Sequence, residues 1–153
     1  MKHLLTTLLF AAAVLLPCSI RAAEPSTAPS SLLKIGKSFE FKVKSMVSSK
    51  SDGSGFTPSG VPIPRGIPKY KIGKTITFKV TKGNHLDWPD RSLPLYGDYD
   101  GYYSYGKLKT VEKPYPDVAT VYVNAKDKPT GVIIYFYKKT KSGAIHTVEY
   151  QLE

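Results

Sequence analysis

A decapeptide that occurs twice, with apolar and polar residues in strict alternation, is the strongest constraint on the fold. KIGKSFEFKV at 34–43 returns as KIGKTITFKV at 71–80, with seven of ten positions identical. This period of two is that of a half-buried β-strand. A Gly near the start of each copy favours a turn or bulge at the strand entry. The residues that the two copies share therefore predict two strands, not two copies of a ligand site.

The second half of the chain continues in the same way, and no segment shows a helical period. Four further segments alternate or form short apolar runs: 101–110, 117–125, 132–139 and 144–152. Gly-containing connections at 126–131 and 140–143 predict tight hairpins. We expect an all-β fold, an antiparallel up-and-down β-barrel of six to eight strands closed so that no long edge is exposed. A two-sheet β-sandwich is the alternative.

Two stretches lack this regularity. Residues 45–70 contain four Gly, four Pro and six Ser, which predicts a long loop that lies over one end of the fold. Residues 81–99 are rich in turn formers and contain Trp88, the only tryptophan. We expect both stretches to be irregular.

The first 22 residues differ from the rest. A positive start and a short apolar run predict a signal peptide at 1–22, and the Pro/Ser-rich 23–31 predicts a disordered linker. A single domain at 32–153 follows, without a transmembrane span, and we expect it to be a monomer. The predicted location is periplasmic or secreted; the alternative is a lipoprotein anchored at Cys18.

The amino-acid composition excludes several classes of function. Removal of 1–22 leaves 20 Lys and Arg against 12 Asp and Glu, a net charge of +8, and no cysteine. Disulfides and thiol catalysis are excluded. The cations are scattered Lys, with only Arg65 and Arg91 as arginines, which argues against specific nucleic-acid binding. Weak attraction to an anionic cell-envelope surface fits this charge.

The order of motifs resembles the small calycin-like barrels of bacterial exported proteins, the MoaF-type domains, over roughly residues 32–152. The resemblance implies a barrel with an internal cavity and no shared catalytic residues. It rests on these residues: Leu33, Gly36, Lys37, Phe39 and Phe41; Gly101, Tyr103 and Tyr105; Ala119, Thr120, Val121 and Val123; Tyr135, Phe136 or Tyr137, Ser142 and Gly143.

The segment LYGDYDGYYSYG at 95–106 is the most unusual part of the chain. Tyrosine offers an apolar ring and a hydroxyl, and beside carboxylates it can stack on a sugar or hold a peptide. The alternative is that these tyrosines pack half-buried in strands, as at the rim of a barrel. The candidate ligand-binding residues are Trp88, Tyr96, Asp98, Tyr99, Tyr103 and Tyr105.

The sequence contains no complete motif for metal binding or catalysis. Asp98 and Asp100 resemble the start of a calcium loop, but the twelfth position is Lys109 instead of Glu. Nothing in the spacing of His85 and His146 requires zinc. No G-x-S-x-G motif is present. We expect no enzymatic activity, no cofactor and no metal.

Two functional hypotheses remain. The leading one is a non-enzymatic barrel that binds a small apolar or aromatic ligand or an envelope glycan. The other is a protein-interaction module, including an inhibitor of a foreign hydrolase or protease, that acts through loop 45–70. Its contact residues would be Pro64, Arg65 and Pro68, since a proline-stiffened loop loses little entropy on binding.

Overall fold

The structure is a computed structural model that describes residues 36–51, 56–57, 60–107, 109 and 116–153. The predicted signal peptide with Cys18, and the predicted linker, lie outside these residues. The described part contains no helix that is long and apolar enough to cross a membrane. Its strands are β1 (Ser38–Ser51), β2 (Phe56–Thr57), β3 (Thr75–Thr81), β4 (His85–Trp88), β5 (Arg91–Tyr99), β6 (Tyr102–Gly106), β7 (Val118–Val123), β8 (Pro129–Lys139) and β9 (Ile145–Leu152).

Eight of these strands form one ring. Each pairs antiparallel with its neighbour in the order β1-β3-β4-β5-β6-β7-β8-β9, and β9 pairs back with β1. The two-residue β2 pairs antiparallel with Lys50 and Ser51 at the end of β1 and is not part of the ring. The prediction of an all-β, antiparallel, up-and-down barrel-like fold is therefore confirmed.

β1 is longer than the sequence predicted. Its first half, to Lys42, pairs with β3, and its second half, from Val43, pairs with β9, with a register shift between Val43 and Ser45. Residues 45–51, assigned above to a loop, are thus strand. Their Ser-rich composition hid this, because the stabilising contacts are backbone bonds to β9.

The stretch 81–99 is also strand, against the prediction of irregular structure. Some of its turn formers lie in short turns, one of which has Gly83 and Asn84 at positive φ, whereas Pro94 and Gly97 lie within β5. Between the turns, Leu86 and Trp88 on β4 and Leu93 on β5 alternate into the core. The alternation was present in the sequence but was broken up by the Pro and Gly residues around it.

The two copies of the decapeptide are neighbours in the ring, on β1 and β3, and their contacts are two-fold symmetric. Gly36 N donates to Val80 O, and the equivalent Gly73 N donates to the equivalent Val43 O, both at 2.8 Å. Both glycines have positive φ, a conformation that glycine adopts without strain.

The centre of this symmetry is a cross-strand pair of equivalent residues. Glu40 lies opposite Thr77, its own counterpart in the other copy. Thr77 Oγ1 donates to Glu40 Oε1 at 2.7 Å. The repeat is therefore a pair of strands that complement each other, which agrees with the prediction of two strands.

The hairpin at 126–131 is shorter than predicted because Pro129–Gly131 belong to β8. The turn is built on Asn124, whose side-chain oxygen accepts bonds from the backbone N of Lys126 and Lys128. Asp127 takes the positive φ. The hairpin at 140–143 forms as predicted, with Gly143 at positive φ.

Side chains fill the interior of the ring. The largest that are fully buried are Tyr105, Tyr150, Phe78 and Phe136. They belong to one contiguous apolar cluster to which every long strand contributes. The interior is therefore a packed core.

The second half of the predicted loop closes one mouth of the ring. Ile67 and Tyr70 are buried in the core cluster. Tyr150 Oη donates to Pro68 O at 3.0 Å and accepts from Tyr70 N at 3.2 Å. The segment 60–70 is a plug held by the core, and we call the end that it closes the plugged mouth.

Polar bonds tie this plug to β4 and to the turn that follows it. Trp88 Nε1 donates to Tyr70 Oη at 3.0 Å, and Tyr70 Oη donates to Asp90 Oδ2 at 2.8 Å. Beside them, Arg91 Nε pairs with Asp117 Oδ2 at 2.7 Å. The indole and both phenols at this mouth are thus used structurally.

We expect Tyr105→Phe to raise the free energy of unfolding by about 1 kcal/mol. The Tyr105 hydroxyl is buried and has no hydrogen-bond partner among the described residues, and such a group costs ~1–3 kcal/mol. Tyr150→Phe is the matched control and should destabilise, since it removes two bonds to the plug. Urea unfolding at neutral pH measures both. Equal destabilisation by the two variants would show that the Tyr105 hydroxyl is satisfied.

The buried Tyr105 also predicts that the stability of the fold decreases at alkaline pH. Burial, and then Tyr103 and Asp98, raise the pKa of Tyr105 well above its ordinary 10.0. The folded state therefore holds the phenol proton more tightly than the unfolded state does. The free energy of unfolding is unaffected by this proton below about pH 10 and decreases as the pH rises above that value. From about pH 9 to about pH 12, Tyr105→Phe should lose less stability than the wild type. Parallel curves would contradict this.

Candidate functional site

The predicted site residues do not form one cluster. Successive residues of a strand face opposite sides of a sheet, so Tyr103 and Tyr105, 4% and 0% exposed, lie inside the ring. Trp88 is in the core beneath the plug. Tyr96 is 56% exposed and lies on the outside, and Tyr99 is half-buried there.

Asp98 lies at the open end of the ring, opposite the plug. It shares a cavity of about 480 Å³ with Tyr99, Tyr103, Asp100 and Asp127. Burial and then the Asp127 charge raise the pKa of Asp98. Among the described residues, no group of three His, Cys, Asp or Glu side chains is arranged to hold a metal ion.

His85, Asp87 and Asp90, which are spaced as H-x-D-x-x-D, belong to two separate hydrogen-bond networks. His85 Nδ1 lies 3.1 Å from Ser92 Oγ, which donates to Asp87 Oδ1 at 2.6 Å. Asp90 instead accepts from Tyr70 in the plug. His146 lies on β9, so the two histidines do not meet.

Besides Tyr96, five tyrosines lie on the outer face of the sheet formed by β5 to β8, and we call the surface that these five form the tyrosine face. Three of them form a row across neighbouring strands, with ring centroids 4.8 Å and 6.0 Å apart. The other two stack along β8 at 6.3 Å. The row is Tyr99, Tyr102 and Tyr122, and the pair is Tyr135 and Tyr137.

The row of rings ends at a position without a side chain. Tyr122 lies opposite Gly131 on β8, so no side chain lies directly across from its ring, and Tyr122 is 41% exposed. A Cβ at 131 would come within 3.0 Å of Leu152 O, which explains the glycine. A cavity of about 400 Å³ lies at this place.

Polar groups surround this cavity. Gln151 and Glu153 line it together with Thr130. Gln151 Nε2 donates to Glu149 Oε1 at 2.8 Å, so the two side chains hold each other in place. Burial, and then the charge of Glu149 and a hydrogen bond to it, raise the pKa of the nearby Tyr135.

A second cavity, of about 500 Å³, lies further along the same outer face. Tyr96 and Tyr137 line it beside Gly106. Lys107 and Lys109 give it a positive rim. The predicted residue Tyr96 is therefore associated with this cavity and not with the one at Gly131.

Arg65 stands at the tip of a tight turn in the plug. Ile67 N donates to Pro64 O at 3.2 Å and Gly66 has positive φ, which is the geometry of a type II turn. The Arg65 side chain is exposed, and its carbonyl accepts a bond from Lys138 Nζ. Pro68 is bound by Tyr150, so this turn is braced without disulfides.

Sequence reasoning missed four of the five tyrosines of the tyrosine face: Tyr102, Tyr122, Tyr135 and Tyr137. They could have been found from the alternation of side chains along a strand, since every second residue faces the same side of the sheet. In VATVYV and VIIYFYKK the tyrosines alternate with the residues that are most apolar, so they belong to the outer face. Counting tyrosines in one segment instead combined residues from both faces.

The chain matches no protein-family model, no curated protein and no solved structure. The resemblance to calycin-like domains therefore stays a prediction. The class that the geometry itself defines is a closed antiparallel barrel with a packed interior and an aromatic outer face.

A substitution at Gly97 would test whether the contact between the Tyr99 and Tyr102 rings contributes to stability. A Cβ at 97 would lie 2.4 Å from Cε2 and 2.7 Å from Oη of Tyr99. Gly97→Ala should therefore push the Tyr99 ring off Tyr102 and cost about 1 kcal/mol of stability. In a Tyr99→Ala background the same change should cost much less, as urea unfolding of the four proteins would show. An equal cost in both backgrounds would mean that Gly97 serves its own backbone.

Proposed function

We propose that this protein is an exported glycan-binding protein without enzymatic activity, and that the glycan binds at the tyrosine face. The observation that supports this most is the row of tyrosine rings that ends, at Gly131, in a cavity of about 400 Å³. The packed interior supports an outer site rather than a ligand inside the ring, because core side chains already occupy that volume.

A sugar ring would bind in the cavity at Gly131, next to the Tyr122 ring that ends the row. The C–H face of a pyranose is apolar and flat, so it can pack on the exposed ring of Tyr122, which Tyr102 contacts on its other side at an interplanar angle of 42°. Polar side chains at the rim would then fix its orientation. Gln151, Thr130 and Glu153 offer one amide, one hydroxyl and one carboxylate for the sugar hydroxyls.

A polymer fits this surface better than a single small molecule. The tyrosine face is open, and a second cavity lies along it beside Tyr96 and Tyr137. Neighbouring sugars of one chain can gain contacts on the same face without a deep pocket. The positive rim at Lys107 and Lys109 favours glycans with anionic groups.

The interaction-module hypothesis has weaker support in the geometry. A hydrolase that binds Arg65 as substrate would need extended backbone there, whereas Arg65 lies in a tight turn. Its carbonyl oxygen is already bound by Lys138 Nζ. The plug is better explained as a closure of the ring.

Tyr122→Ala should weaken glycan binding at least about tenfold, equivalent to the loss of ~1.4 kcal/mol. The ring is 41% exposed, so its removal should leave the fold intact. Chitotetraose, cellotetraose and insoluble peptidoglycan serve as probes, with calorimetric titration and a pull-down assay as measurements. Trp88 is buried in the core and is not a suitable fluorescent reporter.

Ile72→Ala is the control, since it removes a large exposed apolar side chain that lines neither cavity. It should change the affinity less than about twofold. A loss with Tyr96→Ala and none with Tyr122→Ala would move the site to the second cavity. No binding of any of the three probes by the wild type would contradict the proposed function.

A further inference from the structure

A row of basic residues crosses three neighbouring strands at the plugged mouth. Lys50 on β1 lies opposite His146 on β9, which lies opposite Lys138 on β8. Two residues further along their strands, Val148 and Phe136 are fully buried. The row therefore belongs to the interior face of the sheet, at the level where that face opens to solvent.

This row is electrostatically unfavourable as it stands. Lys50 and Lys138 lie two strands apart, about 10 Å at the usual strand spacing, with His146 between them, so the two cations repel each other. In the part of the chain that the structure describes, no carboxylate forms an ion pair with Lys50 or Lys138. Lys138 Nζ instead donates to Arg65 O, which brings a further exposed cation to the same mouth.

Two buried polar atoms next to this row have no described partner. Ser48 is 3% exposed, and its Oγ makes no hydrogen bond to any described residue. His146 Nδ1 is shielded from solvent and is also unpaired. Ser48 lies two residues from Lys50 on the same strand face, diagonal to His146. Each unsatisfied buried group costs ~1–3 kcal/mol, so the arrangement favours a ligand that satisfies both.

We propose that these residues form a binding site for an oxyanion, a sulfate, phosphate or carboxylate group. We call the site the basic mouth; it consists of Ser48, Lys50, Lys138 and His146. Ser48 Oγ and His146, as its Nδ1–H tautomer, donate hydrogen bonds to the oxyanion. Lys50 and Lys138 compensate its charge, and the anion removes their mutual repulsion.

The basic mouth is independent of the proposed glycan site. Its residues lie on the interior face at the plugged mouth, whereas Tyr122 lies on the outer face. Tyr122 is paired near the start of β8, and Lys138 lies near its end. Loss of one site should therefore leave the other intact.

The first experiment is a nuclear magnetic resonance titration with sodium sulfate, against sodium chloride at matched ionic strength. Sulfate should give saturable shifts of the His146 imidazole and the Ser48 amide, and chloride should not. The double variant Lys50→Gln/Lys138→Gln should weaken sulfate binding at least about tenfold. The control Lys37→Gln/Lys128→Gln removes two exposed cations from the opposite end and should bind as the wild type. Equal losses in both double variants, or shifts that do not saturate, would overturn the proposal.

Ser48→Ala separates a ligand contact from a structural role. In chloride it should raise the melting temperature, because it removes an unsatisfied hydroxyl. In sulfate it should reduce the additional rise that the anion gives the wild type, because one donor is lost. An identical change in both salts would mean that Ser48 does not contact the anion and would contradict the site as defined.

The oxyanion can come from a free ion or from an anionic polymer. Dextran sulfate and inorganic sulfate at equal sulfate concentration distinguish these sources. Tighter binding of dextran sulfate, lost in Lys50→Gln/Lys138→Gln, would assign the site to a polymer. Equal binding would assign it to a free ion, and no binding of either would overturn the proposal. Tyr122→Ala should leave these results unchanged, so failure here is distinct from failure of the glycan site.

Discussion

The structure depends on the sharing of β1 between two partners. Its first half pairs with β3 and its second half with β9, and the change occurs at Val43. There the backbone N and O of Val43 bond to Lys74 and Gly73, while Val43 also lies opposite Leu152. Without this one strand the ring would be an open sheet with two bare edges. The core, the plugged mouth and the tyrosine face all require the closed form.

Closure gives each strand an inside and an outside, and this division determines which tyrosines can bind anything. Tyr102 and Tyr103 are adjacent in sequence, yet one lies in an outer row of rings and the other in the core. Burial of Tyr103 and Tyr105 stabilises the fold, and exposure of Tyr122 leaves its ring accessible to solvent. A single residue type thus supplies both the core and the candidate site.

The sequence predicted the fold class because alternation survives in the strands that contribute most to the core. It failed where backbone bonds rather than side chains hold the chain, as in residues 45–51, and where Pro and Gly surround short strands, as in 81–99. The face of each tyrosine could have been predicted from the alternation of side chains along a strand. The opposition of Tyr122 and Gly131 could not, since it depends on a register shift at Tyr122–Val123 that no local pattern indicates.

The symmetry of the β1–β3 contact has a consequence for assembly. Because Glu40 meets its own counterpart Thr77, each copy of the decapeptide presents the edge that the other recognises. A segment with this property is self-complementary, so the same segment on two separate molecules could form the same ladder. What keeps the pairing within one chain is the covalent connection between the copies, which makes the internal partner far more concentrated than any external one.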